Sequence, residues 1–275
     1  MDPKNDYVFR RIFGYIGNEE ITKGLINAIL DDIEITNIEL DLKQELEPDL
    51  KDDKFGILDI RVELNNSIQC DIEMQMADKK DIENRTLFYW SKLYSKSIKL
   101  GEKYMKAKRT IIILFTNYEI EGLGEIKKYL SKWHIREDEY QNIILTDNLE
   151  FCIIEIPKYE RYINENKELS KWVKFIRNPE EISMEDMNNN EALRKAKEEL
   201  NKISDDEREE ELAFQRLMYK MDIEATEALG YDKGLEEGIA KEKAEIAKKM
   251  LENNSDIEFI MLCTGLTKEE IKKLK

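Results

Sequence analysis

Alternation of apolar and polar side chains on either side of Asn65-Asn66-Ser67 holds residues 55–76, FGILDIRVELNNSIQCDIEMQM, to a β-hairpin. Asn and Ser tolerate turn conformations because their short polar side chains bond to nearby backbone. A turn centred on Asn66 pairs Leu58 with Met74, Ile60 with Ile72, Val62 with Cys70 and Leu64 with Ile68, so one face is wholly apolar. The other face sets Ile57 opposite Gln75, Asp59 opposite Glu73 and Arg61 opposite Asp71. A slip of one residue would set apolar side chains against polar ones throughout, so the pattern specifies the register.

Asp59 opposite Glu73 carries a penalty. Facing strand residues hold their Cβ atoms about 4.5–5.5 Å apart, and at an effective dielectric near 20 two like charges there repel by roughly 3 kcal/mol. Solvent, a nearby cation, a raised pKa or a bound divalent metal must offset this. A hard cation with oxygen ligands, Mg²⁺ by default, turns the pair into a site. The plainer alternative is a solvated sheet face whose two acids point at water.

Composition limits the chemistry available. The chain has 275 residues, enough for a full core and more than one folding unit. No apolar run approaches the roughly 18 residues of a membrane span, and MDPKNDYVFRRIF has no signal-peptide pattern, so a soluble, cytoplasmic protein is expected. Cys70, Cys152 and Cys263 are far apart and form no CxxC pair, which argues against a zinc ribbon or a disulfide framework. His134 is the only histidine, so multi-histidine zinc sites are excluded and catalysis must rest on carboxylates and metal. In its context His134 reads as a helix-surface residue rather than a general base. The net charge of −16 repels nucleic acid at long range. The stretch from Arg85 to Arg109 runs the other way, with eight basic residues against Glu102.

In chain order, 7–30 has helical spacing with a break at Gly14 to Asn18, and Asp6 reads as its N-cap. Residues 33–42 alternate as a first strand, and 46–54, charged and containing Pro48, form a loop. Residues 81–108 read as one long helix. At about 100° per residue, Lys92, Lys96, Lys99, Lys103, Lys106 and Arg85 fall within an arc of about 80°, with Leu87, Trp90, Tyr94, Ile98, Gly101 and Met105 packing on the opposite side. Such a stripe is either a solvated face or a phosphate contact. Residues 110–117, TIIILFTN, fit a strand buried on both sides. Residues 125–136 read as a surface helix, 151–156 as a last strand, and 169–176 as an apolar segment around Trp172. This order predicts an α/β fold, a mixed sheet with helices on its faces.

Beyond residue 182 the chain reads as an acidic all-α extension, giving domains 1–182 and 183–275. Amphipathic helices are expected over 191–203, 207–221 and 235–251, with box-like starts at Ser204…Glu207, Ser255…Glu258 and Thr267…Glu270. The end has a small helix-turn-helix shape. Its last helix is short and mixed, which favours helix packing or dimerisation over groove reading.

The segments DYVFRRIFG, LDIRVELNNSIQCDIEMQ, RTLFYWSKLYSKSIKLGEKY and TGLTKEEIKKL together resemble the Rpn family of PD-(D/E)XK recombination-promoting nucleases and transposases. The resemblance spans nearly the whole chain. It implies a restriction-endonuclease-like sheet and a Mg²⁺-dependent DNA endonuclease linked to recombination or mobile elements. It also implies that Asp59 and Glu73 bind the metal and that Gln75 holds the attacking water or the scissile phosphate. Gln75 stands where the superfamily pattern has lysine, as is characteristic of this family. That leaves Lys92 or Arg85 as a migrated charge. Arg85, Lys92, Lys96, Lys99 and Lys103 would hold the DNA backbone, and Asp6, Tyr89 or an acid near Glu47 would support the site. A homodimer through the C-terminal helices is expected. The rival expectations are a nucleic-acid binder that kept the fold without cleavage, and a protein-interaction module.

Overall fold

The computed structural model describes residues 1–41, 45–46, 56–57, 60–77, 80–162 and 167–274, and the backbone alone at 45–46, 56–57, 220, 223–224 and 227. The chain divides into two compact units, Met1–Ala213 and Phe214–Lys275.

The first unit is a mixed six-stranded sheet with helices on both faces. Its strands are β1 (Ile38–Leu40), β4 (Ile60–Leu64), β5 (Ile68–Gln75), β6 (Arg109–Thr116), β7 (Leu130–Trp133) and β8 (Leu149–Glu155), and a separate two-stranded ladder joins β2 (Glu45–Leu46) to β3 (Gly56–Ile57). The sheet order is β1-β4-β5-β6-β8-β7. β5 and β8 both run parallel to β6, and the outer pairs are antiparallel. β6 is buried along its length except at Arg109, as an all-apolar central strand should be.

Helices α1 (Asp6–Phe13), α2 (Glu19–Ile29), α4 (Lys167–Arg177) and α6 (Glu191–Ser204) cover one face. They enclose the main core, where the rings of Phe9, Phe13, Trp172 and Phe175 meet one another and Phe115 of the sheet. Helix α3 (Ile82–Lys96) crosses the other face, where Tyr89 and Leu93 pack on Ile112, and Ile82 packs on Leu114. Short α5 (Met184–Asn188) precedes α6. The expected boundary at residue 182 therefore stands beside a unit that continues to Ala213, because Leu193, Ala196, Leu200 and Ile203 of α6 bury themselves in the main core.

Several local expectations are corrected. Asn5 caps α1, accepting the Tyr7 and Val8 amides, and Asp6 is the first helical residue. The strand expected over 33–42 is limited to β1, Ile38–Leu40. Residues 125–136 do not form a helix. They contain β7, because the free edge of β8 takes Leu130 opposite Ile154 and Trp133 opposite Phe151. His134 consequently sits just past an edge strand, its Nε2 3.8 Å from the buried Glu150 carboxylate.

The long helix expected over 81–108 ends at Lys96 and is followed by a 3₁₀ turn at Tyr104–Lys106. A crossover helix must match the strands it spans. Eight residues of β5 cover about 26 Å and the fifteen of α3 about 22 Å, whereas a helix to Lys108 would overshoot at about 40 Å. Its buried stripe is Ile82, Thr86, Tyr89 and Leu93. Leu87 and Met105, expected to pack, are exposed.

The two helices expected over 207–221 and 235–251 are one continuous helix, α7 (Glu207–Glu252). No proline interrupts it, and Asp206 caps it by accepting the Arg208 and Glu209 amides, in place of Ser204, whose hydroxyl bonds back to Leu200. In the second unit, α8 (Ile257–Thr264) and α9 (Lys268–Lys272) gather around Ala247, Ile260 and Ile271. Asp256 caps α8 in place of Ser255, and Thr267 and Glu270 form a reciprocal capping box on α9. Gly265, at φ 69°, makes the left-handed turn between them. Among the described residues no helix is long and apolar enough to cross a membrane.

Candidate active site

The β4–β5 hairpin has the register that alternation dictates. Ile60 pairs with Ile72, Arg61 with Asp71, Val62 with Cys70, and Leu64 with Ile68. Asn65 and Asn66 turn the chain at φ 50° and 57°, a left-handed conformation that asparagine tolerates. Asn65 also fixes the hairpin to the chain before β1. Its side chain accepts the Thr36 and Asn37 amides and donates to the Glu34 carbonyl. Ile57, expected opposite Gln75, instead pairs with Glu45 in the small ladder, where Gly56 beside it has no side chain to hold the pleat. Asp59 and Glu47 lie outside the described residues.

Two consequences follow for the side chains. Ile60, Val62, Leu64, Cys70, Ile72 and Met74 are buried in the main core. Arg61, Glu63, Gln69, Asp71, Glu73 and Gln75 occupy the alternate positions, on the face that α3 crosses. Their neighbours on β6, Ile112 and Leu114, lie beneath α3, so one face carries an apolar half under the helix and a polar half beside it.

Asp71 and Glu73 are 0% and 3% exposed, an unusual depth for two carboxylates two residues apart on one strand. The Gln75 amide donates to Glu73 Oε2 at 3.3 Å. Around them, Arg61 faces Asp71 across the ladder and binds Asp41 at 3.1 Å, and Lys108 binds Glu63 at 2.5 Å. A cleft of about 560 Å³ opens along this polar half, lined by Glu39, Asp41, Arg61, Gln69, Leu93 and Lys96.

The helix supplies the remaining candidates. The Arg85 guanidinium lies 5.3 Å from the Tyr89 ring centroid and has a buried Nε with no hydrogen-bond partner among the described residues. Lys92 lies 5.1 Å from the Phe88 ring. Lys99 and Lys103 have left the helix and are exposed in the connection to β6. Asp6 is buried at the start of α1, its Oδ1 accepting the Tyr7 amide at 3.0 Å. The structure thus joins Glu73 to Gln75 and Arg85 to Tyr89, and separates Lys99 and Lys103 from the α3 face. Asp71 and Lys108 were not singled out from sequence. The signal for Asp71 was present, since it shares Glu73's parity.

A second groove, of about 500 Å³, lies on the far side of α3 between Leu87, Trp133, Phe151 and Ile153. It is almost wholly apolar and offers no carboxylate pair for chemistry.

A family model described as PD-(D/E)XK nuclease family transposase matches residues 3–228. The chain belongs to that family. A second, described as the C-terminal HTH domain of the Rpn/YhgA-like nuclease family, matches residues 240–275 and so covers the α8–α9 pair that sequence reading assigned to packing or dimerisation. No curated protein and no solved structure matches the chain. The sheet and its flanking helices are consistent with the PD-(D/E)XK fold, and membership supports a nuclease- or transposase-related role. PD-(D/E)XK nucleases generally use divalent metal ions, and the buried donors here are suited to one. Glu73 and Asp71 offer carboxylate oxygens and Gln75 an amide, while the Cys70 thiol of the same strand is buried in the main core. Among the described residues no group of three or more His, Cys, Asp or Glu side chains is arranged to hold an ion.

Proposed function

We propose that this protein is a metal-dependent DNA endonuclease that hydrolyses phosphodiester bonds in a recombination or mobile-element setting. The observation that carries the reading is Glu73, a carboxylate 3% exposed on the face beside α3 and hydrogen-bonded to Gln75, within a family-matched nuclease domain. Burying a carboxylate costs several kcal/mol unless a cation or donors compensate.

Asp59 and Glu73 would hold a divalent cation, Mg²⁺ by default, with Asp71 supporting Glu73 from the same strand face. When bound, such a cation would supply acidity to a water and neutralise charge on the phosphate. Gln75 would orient the attacking water or donate to a phosphate oxygen. Arg85, packed on Tyr89, and Lys92, Lys96, Lys99 and Lys103 hold the DNA backbone, positioning it without reading sequence. The helix-turn-helix unit gives a second DNA contact. A second copy of the chain pairs through α7, where Phe214, Met218, Met221, Leu235, Ile239 and Ile246 recur at exposed positions.

The rival reading, DNA binding without cleavage, draws on the missing charge at Gln75. Plasmid nicking in Mg²⁺ and in EDTA, by wild type, Asp59→Ala and Glu73→Ala, tests both. We expect nicking only by wild type in Mg²⁺, with a loss of at least about a hundredfold in each variant. Equal nicking by all three proteins would discredit the site.

A further inference from the structure

Met105, expected to pack inward on a long helix, is among the most exposed residues in the molecule, together with two near neighbours. In the 97–108 connection, Leu100, Tyr104 and Met105 have 106%, 88% and 94% of their surface in solvent. They contribute almost no burial to the fold. The segment that displays them is nevertheless well structured. Glu102 accepts the Lys99 amide at 2.9 Å and the Lys106 ammonium at 3.0 Å, Tyr104–Lys106 form a 3₁₀ turn, and the Lys108 amide donates to Ser97 Oγ at 3.2 Å. Gly101, at φ 85°, allows the reversal. Glu102 is the sole acid of this stretch, and Lys99 and Lys103 stand exposed around the apolar tip.

We propose that this connection is a DNA wedge, in which the exposed lysines sit on phosphates while Tyr104, Met105 and Leu100 enter between bases and partly unstack them. Apolar side chains inserted at a base step kink duplex DNA, and an aromatic ring adds base stacking. Charge selects the partner. In a chain of net charge −16, a basic rim around an apolar tip admits a polyanion with apolar faces inside it. Position agrees. The connection leads into Arg109, which pairs with Ile68, five residues along β5 from Glu73. That is about 17 Å, or about five nucleotides of one strand. The connection therefore enters the sheet beside the strand that carries Glu73.

The proposal rests on the DNA reading above, and its test separates the two. Full-length protein is titrated, in EDTA to prevent cleavage, with duplexes carrying the fluorescent base aminopurine, which brightens on unstacking. Wild type is expected to bind and brighten the probe. Tyr104→Ser combined with Met105→Ser is expected to lose the brightening and bind roughly tenfold more weakly, with an unchanged salt slope and an unchanged unfolding midpoint. Lys99→Gln with Lys103→Gln is expected to reduce the salt slope by about 2 and keep the brightening. Binding by wild type without brightening, or brightening retained in the Ser double variant, overturns the wedge and leaves DNA binding standing. No binding by wild type overturns both. Wild type that partitions onto phosphatidylserine vesicles and leaves the probe dark overturns the wedge in favour of a membrane surface.

Discussion

Lys158 is 1% exposed, and its ammonium is held by Glu155 at 2.6 Å and by the carbonyls of Leu123 and Ile126 at 2.8 and 3.4 Å. Glu155 in turn accepts the Ile120 amide at 2.9 Å, so one buried ion pair ties the β6–β7 connection to the end of β8. Lys158→Met is expected to destabilise the protein by about 3–5 kcal/mol, read from the urea midpoint, because the carboxylate is left buried without its cation. A second residue-scale link is Tyr7, whose hydroxyl donates to Glu209 at 2.7 Å. Burial first, and then Glu209, pushes its pKa up to about 12. The neutral phenol is therefore favoured in the folded state over the unfolded one, where it titrates near 10. Its contribution is complete below about pH 10 and is lost as pH rises through about 12. Denaturation measured across that window should show Tyr7→Phe losing less stability than wild type. Neither link was visible in sequence, since Lys158 and Glu209 look like two more surface charges in a chain rich in them.

At the scale of elements, α2, α4 and α6 meet at Gly24. A Cβ there would come within 2.4 Å of Ala192 Cβ and 3.1 Å of the Trp172 ring. Alanine normally gains up to about 1 kcal/mol over glycine in a helix, but the Ala192 Cβ cannot swing away, and overpacking costs about 1–3 kcal/mol. Gly24→Ala is expected to lower stability by about 1–2 kcal/mol in denaturant melts. Gly234→Ala in α7, where nothing lies within 4 Å, is expected to raise helix content by circular dichroism. The elements themselves were unequally legible. The β4–β5 register followed from period-two alternation, and β6 from an unbroken apolar run. The end of α3 did not follow, since its lysine spacing continues in helical phase past Ser97 with no breaker before Gly101, and only the length of the strands it spans stops it. The edge strand β7 was hidden for a related reason, because its pairing with β8 is a contact between distant segments.

For the whole molecule, sequence determined the class of fold and the face on which polar chemistry gathers. Strand alternation and the order of apolar runs are local properties, and local periodicity fixes which side chains share a face. Glu73 and Gln75 stand together for that reason, and the family resemblance carried by the same residues agrees with the matched family model. Asp59, the other half of the expected ligand pair, lies outside the described residues. Tertiary structure decided which charges are buried, where α3 ends, and that α6 belongs to the first unit. It also turned Leu100, Tyr104 and Met105 outward. These outcomes depend on contacts between residues far apart in the chain and on matched element lengths, which no local pattern encodes.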